Sequence, residues 1–236
     1  MNYQAIVFDK DGTLLDFNRT WLPIYRHAAL EFAGNDPQLA KEMLAQHGYD
    51  HATGQFIGGS LLAAGNNHDI ARAWSALLPD AIDNDTLAAR SQRLNQTFQQ
   101  RGAQSSIAVP GLQETLYSLK QSGLKLAIAT SDSYAGIHHT LQAFEILRYF
   151  DFLCGYDSGY GIKPEPGMVL AFCESVSIPP AKTIVVGDNR HDIEMGRNAG
   201  AGLCIGVLTG TSTRRDLQAI ADLVLNDISQ LPDIIN

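Results

Sequence analysis

The sequence predicts an α/β protein with a parallel sheet at its core and a helical domain inserted after the first strand. At 236 residues, the chain is long enough for a core of this kind plus a smaller insert. Short apolar runs alternate with helical patterns near the start of the chain and beyond residue 105, which is typical of a parallel sheet with helices on both faces. Between residues 18 and 104, the pattern is helical and shows no convincing strand.

The strands and helices of the core follow from this alternation. The first strand, Ala5–Phe8, is a short apolar run that leads directly into charged residues. The other predicted strands are residues 124–130, 150–154, 183–187, 202–206 and 222–225. The helices predicted between them are residues 111–121, 134–147, 167–176 and 192–199.

The insert is predicted to be a small bundle of four helices, at residues 21–32, 37–46, 69–78 and 85–100. Four helices can enclose a core of their own. The chain is expected to return to the sheet through a linker at residues 103–109. We therefore expect a core domain of residues 1–15 and 105–236, and an inserted domain of residues 16–104.

The composition excludes several classes of protein. With 17 Lys and Arg against 25 Asp and Glu, the formal net charge is −8, which argues against nucleic-acid binding. No run approaches the roughly 18 apolar residues of a membrane span, and no signal-peptide pattern is present. The sparse cysteines, Cys154, Cys173 and Cys204, lack disulfide or metal-site spacing. We expect a cytoplasmic protein, a monomer or a homodimer, that binds neither nucleic acid nor membrane.

Acidic residues follow two of the predicted strands. Asp9 and Asp11 come after the first strand, and the alternation of a strand places both on one face with Lys10 turned away. Asp188 follows the fourth strand, and Asp192 stands at a helix start, where it either caps the helix or joins the acidic group. Ligands of open α/β sheets bind beyond the carboxyl ends of the strands. Hard carboxylate oxygens gathered there suit Mg²⁺.

Groups suited to a phosphate stand at two further positions. The second predicted strand ends at Thr130 and Ser131, whose hydroxyls and turn amides can donate to phosphate oxygens. Lys163 lies in a loop stiffened by Pro164 and Pro166, which limits where its ammonium points. Taken alone, Thr130 and Ser131 fit an ordinary turn, and Lys163 fits an ordinary surface lysine. The prediction of a phosphate site therefore rests on the two segments together.

Together these segments resemble the haloacid dehalogenase (HAD) superfamily. The matching segments, in family order, are residues 9–13, Thr130 after an apolar strand, Lys163 before Pro164, and residues 187–192. The insert resembles the family's cap, and residues 109–116 resemble the return to the core in phosphoglycolate phosphatases. The resemblance implies the Rossmann-like HAD fold. Lys10 and Ser131 depart from the subgroup, in which an apolar residue and Asn are more common.

The resemblance also implies a role for each matched residue. Asp9 is implied as the nucleophile that forms an aspartyl phosphate. Asp11 is implied as the acid that protonates the leaving oxygen and then activates water. Thr130 and Ser131 are implied to bind the phosphoryl group, and Lys163 to neutralise its charge.

The implied cofactor is Mg²⁺, held by Asp9, the main-chain carbonyl of Asp11 and Asp188, with Asp192 in support behind them. The implied reaction is hydrolysis of the phosphomonoester of a small metabolite, with phosphoglycolate as a candidate. A phosphomutase like β-phosphoglucomutase is an alternative. So is a non-enzymatic phospho-receiver module, although such a module is about half this length and lacks the insert.

Substrate contacts are expected from the insert. The candidates are Arg19, Gln55 and Gly59. Arg19 can clamp a carboxylate or a second phosphate, although an exposed residue at a helix start fits equally well. Gly59 lies in a Gly-Gly turn that suits either a loop near the site or a break between helices. The expected hinges of the cap are residues 14–19 and 103–109, and its closure would exclude water.

Overall fold

The computed structural model describes residues 3–79 and 84–235. The chain divides into two compact units. The first comprises the chain up to Phe17 and from Ile107 onward, and the second is Asn18–Ser106. In chain order the strands are β1 (Ala5–Phe8), β2 (Tyr49–Asp50), β3 (Gln55–Phe56), β4 (Lys125–Ala129), β5 (Phe152–Cys154), β6 (Thr183–Gly187), β7 (Leu203–Val207) and β8 (Leu223–Leu225).

The helices lie between these strands. They are α1 (Phe17–Phe32), α2 (Pro37–His47), α3 (Leu61–Ala64), α4 (Asn67–Ser75), α5 (Asn84–Ser105), α6 (Leu112–Gln121), α7 (Tyr134–Leu141), α8 (Gly167–Val176), α9 (Arg190–Ala199), α10 (Arg214–Gln218) and α11 (Leu231–Ile235). The helix predicted at residues 134–147 ends early as α7, and short 3₁₀ turns follow it. The chain leaves helical geometry at Glu145, whose φ is 54°.

Six strands form the sheet of the first unit, in the order β5-β4-β1-β6-β7-β8, and all of them pair in parallel. Ile6 and Phe8 of β1 face one apolar layer, which includes Leu116 of α6. Val7 faces the opposite layer, which includes Phe172 of α8. Successive residues of a strand point to opposite faces, so a strand covered on both faces is a continuous apolar run. The predicted α/β class with a parallel sheet is confirmed.

The parallel register brings the ends of three strands together. Phe8 of β1 pairs with Ile128 of β4 on one side and with Val186 of β6 on the other. The loops that follow these strands therefore leave the sheet at the same edge. Asp9 opens one of these loops, and Asp188 opens another.

The second unit is helical within its described residues, apart from a short hairpin. The prediction that the insert lacks strands is wrong, because β2 and β3 pair antiparallel, Tyr49 with Phe56 and Asp50 with Gln55. Each strand has only two residues, which is too short to show an alternating pattern. The Asp50 carboxylate closes the turn by accepting a hydrogen bond from the N–H of Ala52 at 2.8 Å.

The chain leaves and re-enters the first unit through two paired segments. The N–H of Asp16 donates to the carbonyl of Ile107 at 2.9 Å, and the N–H of Val109 donates to the carbonyl of Leu14 at 3.1 Å. The linker predicted at residues 103–109 starts later in the structure, because α5 continues to Ser105.

The composition gave expectations for the cysteines and for membrane-spanning segments, and the structure describes both. Cys154, Cys173 and Cys204 are free thiols inside the protein, and burial raises the pKa of each one. Over residues 3–79 and 84–235, no helix combines the length and the apolar character needed to cross a membrane.

Candidate active site

The first loop of the site begins at Asp9, directly after β1. Asp9 is buried, and its Oδ1 accepts a hydrogen bond from Nζ of Lys163 at 2.5 Å. The chain then turns tightly, because the N–H groups of Leu14 and Leu15 both donate to the carbonyl of Lys10. This turn holds Asp9 at the carboxyl end of the central strand.

Lys163 bridges two carboxylates. In addition to its bond with Asp9, its Nζ donates to Oδ1 of Asp192 at 2.6 Å. The side chain of Lys163 is 2% exposed and that of Asp192 is fully buried. Burial opposes the ammonium charge, but the carboxylates of Asp192 and Asp9 outweigh it and raise the pKa of Lys163 above its ordinary value. The lysine is therefore a fixed cation inside the protein.

The loop that carries Lys163 is anchored to the neighbouring helix. Nδ2 of Asn198, on α9, donates to the carbonyl of Pro164 at 3.0 Å. The N–H of Glu165 donates back to the carbonyl of Ile162 at 2.7 Å. These bonds fix the backbone on the C-terminal side of the lysine.

Asp192 performs both of the tasks considered for it from the sequence. It is the N3 residue of a capping box at the start of α9, with Asn189 as the N-cap. Its Oδ2 accepts the N–H groups of Asp188 and Asn189, each at 3.1 Å. Its Oδ1 holds Lys163. Because donors within the protein engage both of its oxygens, Asp192 suits a supporting position better than direct metal ligation.

Asp188 is buried at the end of β6 in a close-fitting pocket. Its Oδ2 accepts the N–H of Thr211 at 2.9 Å. Gly12, at φ +88°, lies so close that a Cβ there would stand 2.6 Å from the Asp188 Cγ. Burial raises the pKa of Asp188 well above its ordinary value, and the carboxylates of Asp192 and Asp9 raise it further.

The three carboxylates form a cluster that can hold a metal ion. Oxygens of Asp9, Asp188 and Asp192 lie within 4.8 Å of one another. Burial raises the pKa of Asp9 to about 7, with Lys163 opposing the shift and Asp192 adding to it. One ammonium does not balance three buried carboxylates when all of them are ionised, so the cluster favours a bound proton or a cation. A hard divalent cation such as Mg²⁺ suits this set of donors.

Lys10 is not turned away from Asp11, contrary to the prediction. Its Nζ lies 2.6 Å from Oδ2 of Asp11 and 3.0 Å from Oδ2 of Asp132. The reason is that β1 ends at Phe8, so the alternation of a strand does not extend to Lys10. Burial opposes the charge of Lys10, but Asp11 and Asp132 outweigh it and raise its pKa.

The two candidates after β4 differ in exposure. Thr130 is buried, its N–H donates to the carbonyl of Cys154 at 3.0 Å, and its Oγ1 accepts the N–H of Asp132 at 3.1 Å. Ser131 is exposed. The β4 register places Thr130 at the sheet edge from which Asp9 emerges.

The three candidates from the insert lie in the second unit. Arg19 is exposed on α1, Gln55 is exposed on β3, and Gly59 is an exposed turn residue with φ +72°. Trp21 is partly buried, and its ring stacks on that of Phe98, on α5, at 5.7 Å between centroids. Substrate contacts by the three candidates stay predictions.

Sequence reasoning missed two partners of the site residues. Asp132 engages Lys10, and Thr211 donates to Asp188. Asp132 follows Thr130 and Ser131 in the same loop, while Thr211 follows β7, another strand whose end meets this edge. The carboxyl ends of parallel strands were therefore the signal for both.

Known proteins resemble this chain over nearly its whole length. A family model described as haloacid dehalogenase-like hydrolase matches residues 3–200. A phosphoglycolate phosphatase of Pasteurella multocida is 26% identical over 239 residues, covering 99% of this chain and 98% of that protein. A pyrophosphatase, PpaX, of Bacillus mycoides is 27% identical over 237 residues, covering 100% and 98%.

A solved structure shares the fold. The crystal structure described as a predicted phosphoglycolate phosphatase from Haemophilus somnus 129pt has a TM-score of 0.77 and 21% identity, covering 100% of this chain and 99% of that one. These matches confirm the superfamily and the phosphoglycolate phosphatase-like subgroup predicted from the motifs, and with them an enzyme of the HAD phosphatase type. The chain belongs to the haloacid dehalogenase-like hydrolase family.

Proposed function

We propose that this chain is a Mg²⁺-dependent phosphomonoesterase of the cytoplasm that acts on a small phosphorylated metabolite, with phosphoglycolate as the first candidate. The observation that carries the proposal is the buried ammonium of Lys163 between Asp9 and Asp192, with Asp188 beside them. Phosphoryl transfer is catalysed mainly by positioning and charge stabilisation. A fixed cation next to a carboxylate at a strand end supplies both.

The residues present suit a divalent ion. Asp9, the main-chain carbonyl of Asp11 and Asp188 would hold Mg²⁺, while Asp192 orients Lys163 and the backbone of Asp188. Burial raises the pKa of Asp9 and of Asp188 because it disfavours their charged forms, and a bound cation would favour those forms. When bound, the ion offsets the charge of these carboxylates and of the phosphoryl oxygens.

The first half of the proposed reaction transfers the phosphoryl group to the enzyme. A carboxylate oxygen of Asp9 attacks phosphorus, and the bond from phosphorus to the leaving oxygen breaks as the new bond forms. Asp11 gives its proton to the leaving oxygen. The hydroxyl of Thr130, whose oxygen already accepts the N–H of Asp132, donates its hydrogen to a phosphoryl oxygen.

The second half releases phosphate. Asp11, now ionised, takes a proton from a water molecule, which attacks phosphorus and displaces the carboxylate of Asp9. Lys163 stabilises the charge on phosphorus and on Asp9 in both halves, because its ammonium is held in place by Asp192. The enzyme returns to its starting state with one phosphate and one alcohol released.

We further propose that the second unit is the cap and selects the substrate through Arg19, Gln55 and Gly59. A guanidinium suits a substrate that carries a carboxylate or a second phosphate. A panel of phosphorylated acids, sugar phosphates, nucleotides and pyrophosphate identifies the preferred substrate. Arg19→Ala is then expected to raise KM for that substrate, with little change for an aryl phosphate whose aryl group carries no charge.

The test of the function is phosphate release with Mg²⁺ and with a chelator. We expect steady turnover that requires the ion and that Asp9→Asn abolishes. Asp151→Asn is the control, since Asp151 is ion-paired to Lys120 and Lys125 on the exposed surface. Full activity in Asp9→Asn would remove the nucleophile. A single burst of phosphorylation without turnover would favour the receiver, and transfer to a second hydroxyl without release would favour the mutase.

A further inference from the structure

We propose that Lys10 is a positioning residue that holds the Asp11 carboxylate in place for proton transfer by anchoring it to the loop after β4. The inference rests on the proposed function, in which Asp11 is the general acid and base. Lys10 itself touches no reacting atom in this proposal. Its task is to fix where the Asp11 carboxylate lies.

The geometry of Lys10 carries the proposal. Its side chain is fully buried although it carries a charge, and its Nζ lies between Oδ2 of Asp11 at 2.6 Å and Oδ2 of Asp132 at 3.0 Å. A buried ammonium is costly unless carboxylates surround it. The lysine is therefore committed to these two carboxylates, and a direct contact with substrate phosphate would cost it a partner.

The far end of this bridge is rigid. The Oδ1 of Asp132 accepts the N–H of Ser133 at 2.7 Å, and its carbonyl accepts the N–H of Tyr156 at 3.0 Å. Its own N–H donates to the hydroxyl of Thr130 at 3.1 Å. Asp132 is thus fixed to the segment that carries Thr130.

The consequence is a link between two parts of the reaction. Asp11, which handles the proton, is tied through Lys10 and Asp132 to Thr130, which binds the phosphoryl group. A displacement of about 1 Å in a reacting group costs about 10²-fold in rate. The bridge from Asp11 through Lys10 to Asp132 therefore sets the distance between the proton donor, Asp11, and the phosphoryl group bound at Thr130.

Leaving-group dependence separates this role from a merely structural one. General acid catalysis matters most for a poor leaving group, since an alkoxide needs a proton and a stabilised phenolate does not. We expect Lys10→Met to lower kcat/KM, which reports the first half of the reaction, by about 10²-fold for an alkyl phosphate, with much smaller losses for aryl phosphates as the leaving phenol becomes more acidic. Because Asp11 also activates the water that hydrolyses the shared aspartyl phosphate, kcat is expected to fall for every substrate.

Two further variants sharpen the test. Asp132→Asn keeps the Lys10–Asp11 pair but weakens its anchor. It should show the same dependence on leaving group with a smaller loss of kcat/KM. This variant keeps the inference testable if Lys10→Met folds poorly. Lys125→Met is the matched control, because Lys125 pairs with Asp151 at the opposite end of β4 and its loss should not depend on the leaving group.

A double-mutant cycle completes the design. If Lys10 acts through Asp11, Lys10→Met should add no further loss of kcat in an Asp11→Asn background. Equal losses of kcat/KM for every leaving group, or an undiminished effect in that background, would overturn the inference alone. If Asp11→Asn itself shows no leaving-group dependence, the proposed role of Asp11 fails, and the inference fails with it.

Discussion

Asp192 and Lys163 form a buried ion pair, with Nζ 2.6 Å from Oδ1, while the other oxygen of Asp192 caps α9 through the N–H groups of Asp188 and Asn189. A single carboxylate therefore couples the position of the site's ammonium to the strand end that carries Asp188. The start of a helix and the charge of the site depend on the same side chain.

This coupling predicts the effect of Asp192→Asn. The amide oxygen can still accept backbone N–H groups, but its NH₂ group would then face the Lys163 ammonium. We expect a loss of about 3–5 kcal/mol in unfolding free energy, as for a broken buried ion pair, together with a large loss of turnover. Denaturant unfolding and phosphate release measure the two effects.

A second capping box supplies the control for Asp192→Asn. Asp216 occupies the same N3 position at the start of α10, with Thr213 as the N-cap, and its carboxylate is exposed. Asp216→Asn should cost at most about 1 kcal/mol, the cost of losing a cap, because its amide oxygen can still accept the backbone N–H group. Equal costs for the two variants would contradict the coupling through Lys163.

The charge of the cluster predicts a stability that depends on pH. Burial raises the pKa of Asp9 from 3.8 to about 7 in the metal-free protein, with Lys163 opposing this shift. Because its folded pKa lies above its unfolded pKa, Asp9 contributes stability at low pH that is lost as the pH rises through about 7. Mg²⁺ binding favours the ionised form, so the rise in Tm caused by Mg²⁺ should be larger above pH 7 than below it.

Thermal melts at about pH 6 and about pH 8, with Mg²⁺ and with a chelator, check this prediction. Saturation at 100 times Kd corresponds to about 2.7 kcal/mol of stabilisation. Asp9→Asn is the matched variant, because it removes this titrating group but keeps its size, and its melts should lose the part of the pH dependence that Asp9 contributes. A larger Mg²⁺ effect at the lower pH would contradict the assignment.

The close packing of Gly12 against Asp188 predicts a steric effect on the site. Gly12→Ala would place a Cβ 2.6 Å from the Asp188 Cγ at a backbone φ of +88°. Gly34 is the control, since it has φ +64° and open space around the position of a Cβ. Gly34→Ala should cost about 1–2 kcal/mol, from backbone strain alone.

We expect Gly12→Ala to cost more than Gly34→Ala and also to weaken Mg²⁺ binding, which titration calorimetry measures. The reason is that the new methyl group must displace the Asp188 carboxylate. Unchanged Mg²⁺ affinity in Gly12→Ala would show that Asp188 does not hold the ion.

Asp11 is assigned two roles, since its side chain moves protons and its main-chain carbonyl holds Mg²⁺. A change of the side chain alone should therefore affect turnover but not metal binding. Asp11→Asn keeps the main-chain carbonyl assigned to Mg²⁺ but removes the group that moves protons. We expect kcat to fall by about 10²–10⁴-fold, the usual range for general acid–base catalysis, while the Kd for Mg²⁺ stays nearly constant. A lost affinity with unchanged chemistry would reverse the assignment.

Much of the core could be predicted because its signals are local. β1 and β6 were predicted with their observed bounds, since strands buried on both faces are uninterrupted apolar runs. The hairpin of β2 and β3 could not be, because two-residue strands have no period. Its register depends on contacts within the second unit, such as the N–H of Phe56 donating to Oδ1 of Asn18 at 3.1 Å.

The residues of the site likewise divide into those whose place the sequence predicts and those whose place it does not. Asp9, Asp188 and Lys163 could be expected together because each stands at a strand end or in a stiff loop that the parallel sheet brings to one edge. The ion pairs of Lys10 could not, since they require that the chain bends after Phe8 and that Asp132 lies across from it. Such contacts arise from tertiary folding and leave no periodic signal in the sequence.

The backbone bonds that join Asp16 to Ile107 and Leu14 to Val109 have a consequence for engineering. The chain enters and leaves the insert at neighbouring points, so the first unit stays continuous whatever segment lies between them. A short loop could replace the guest segment without stretching the remaining chain, and a foreign module of different size could be grafted at the same junction. The core and the insert can thus be varied as separate parts.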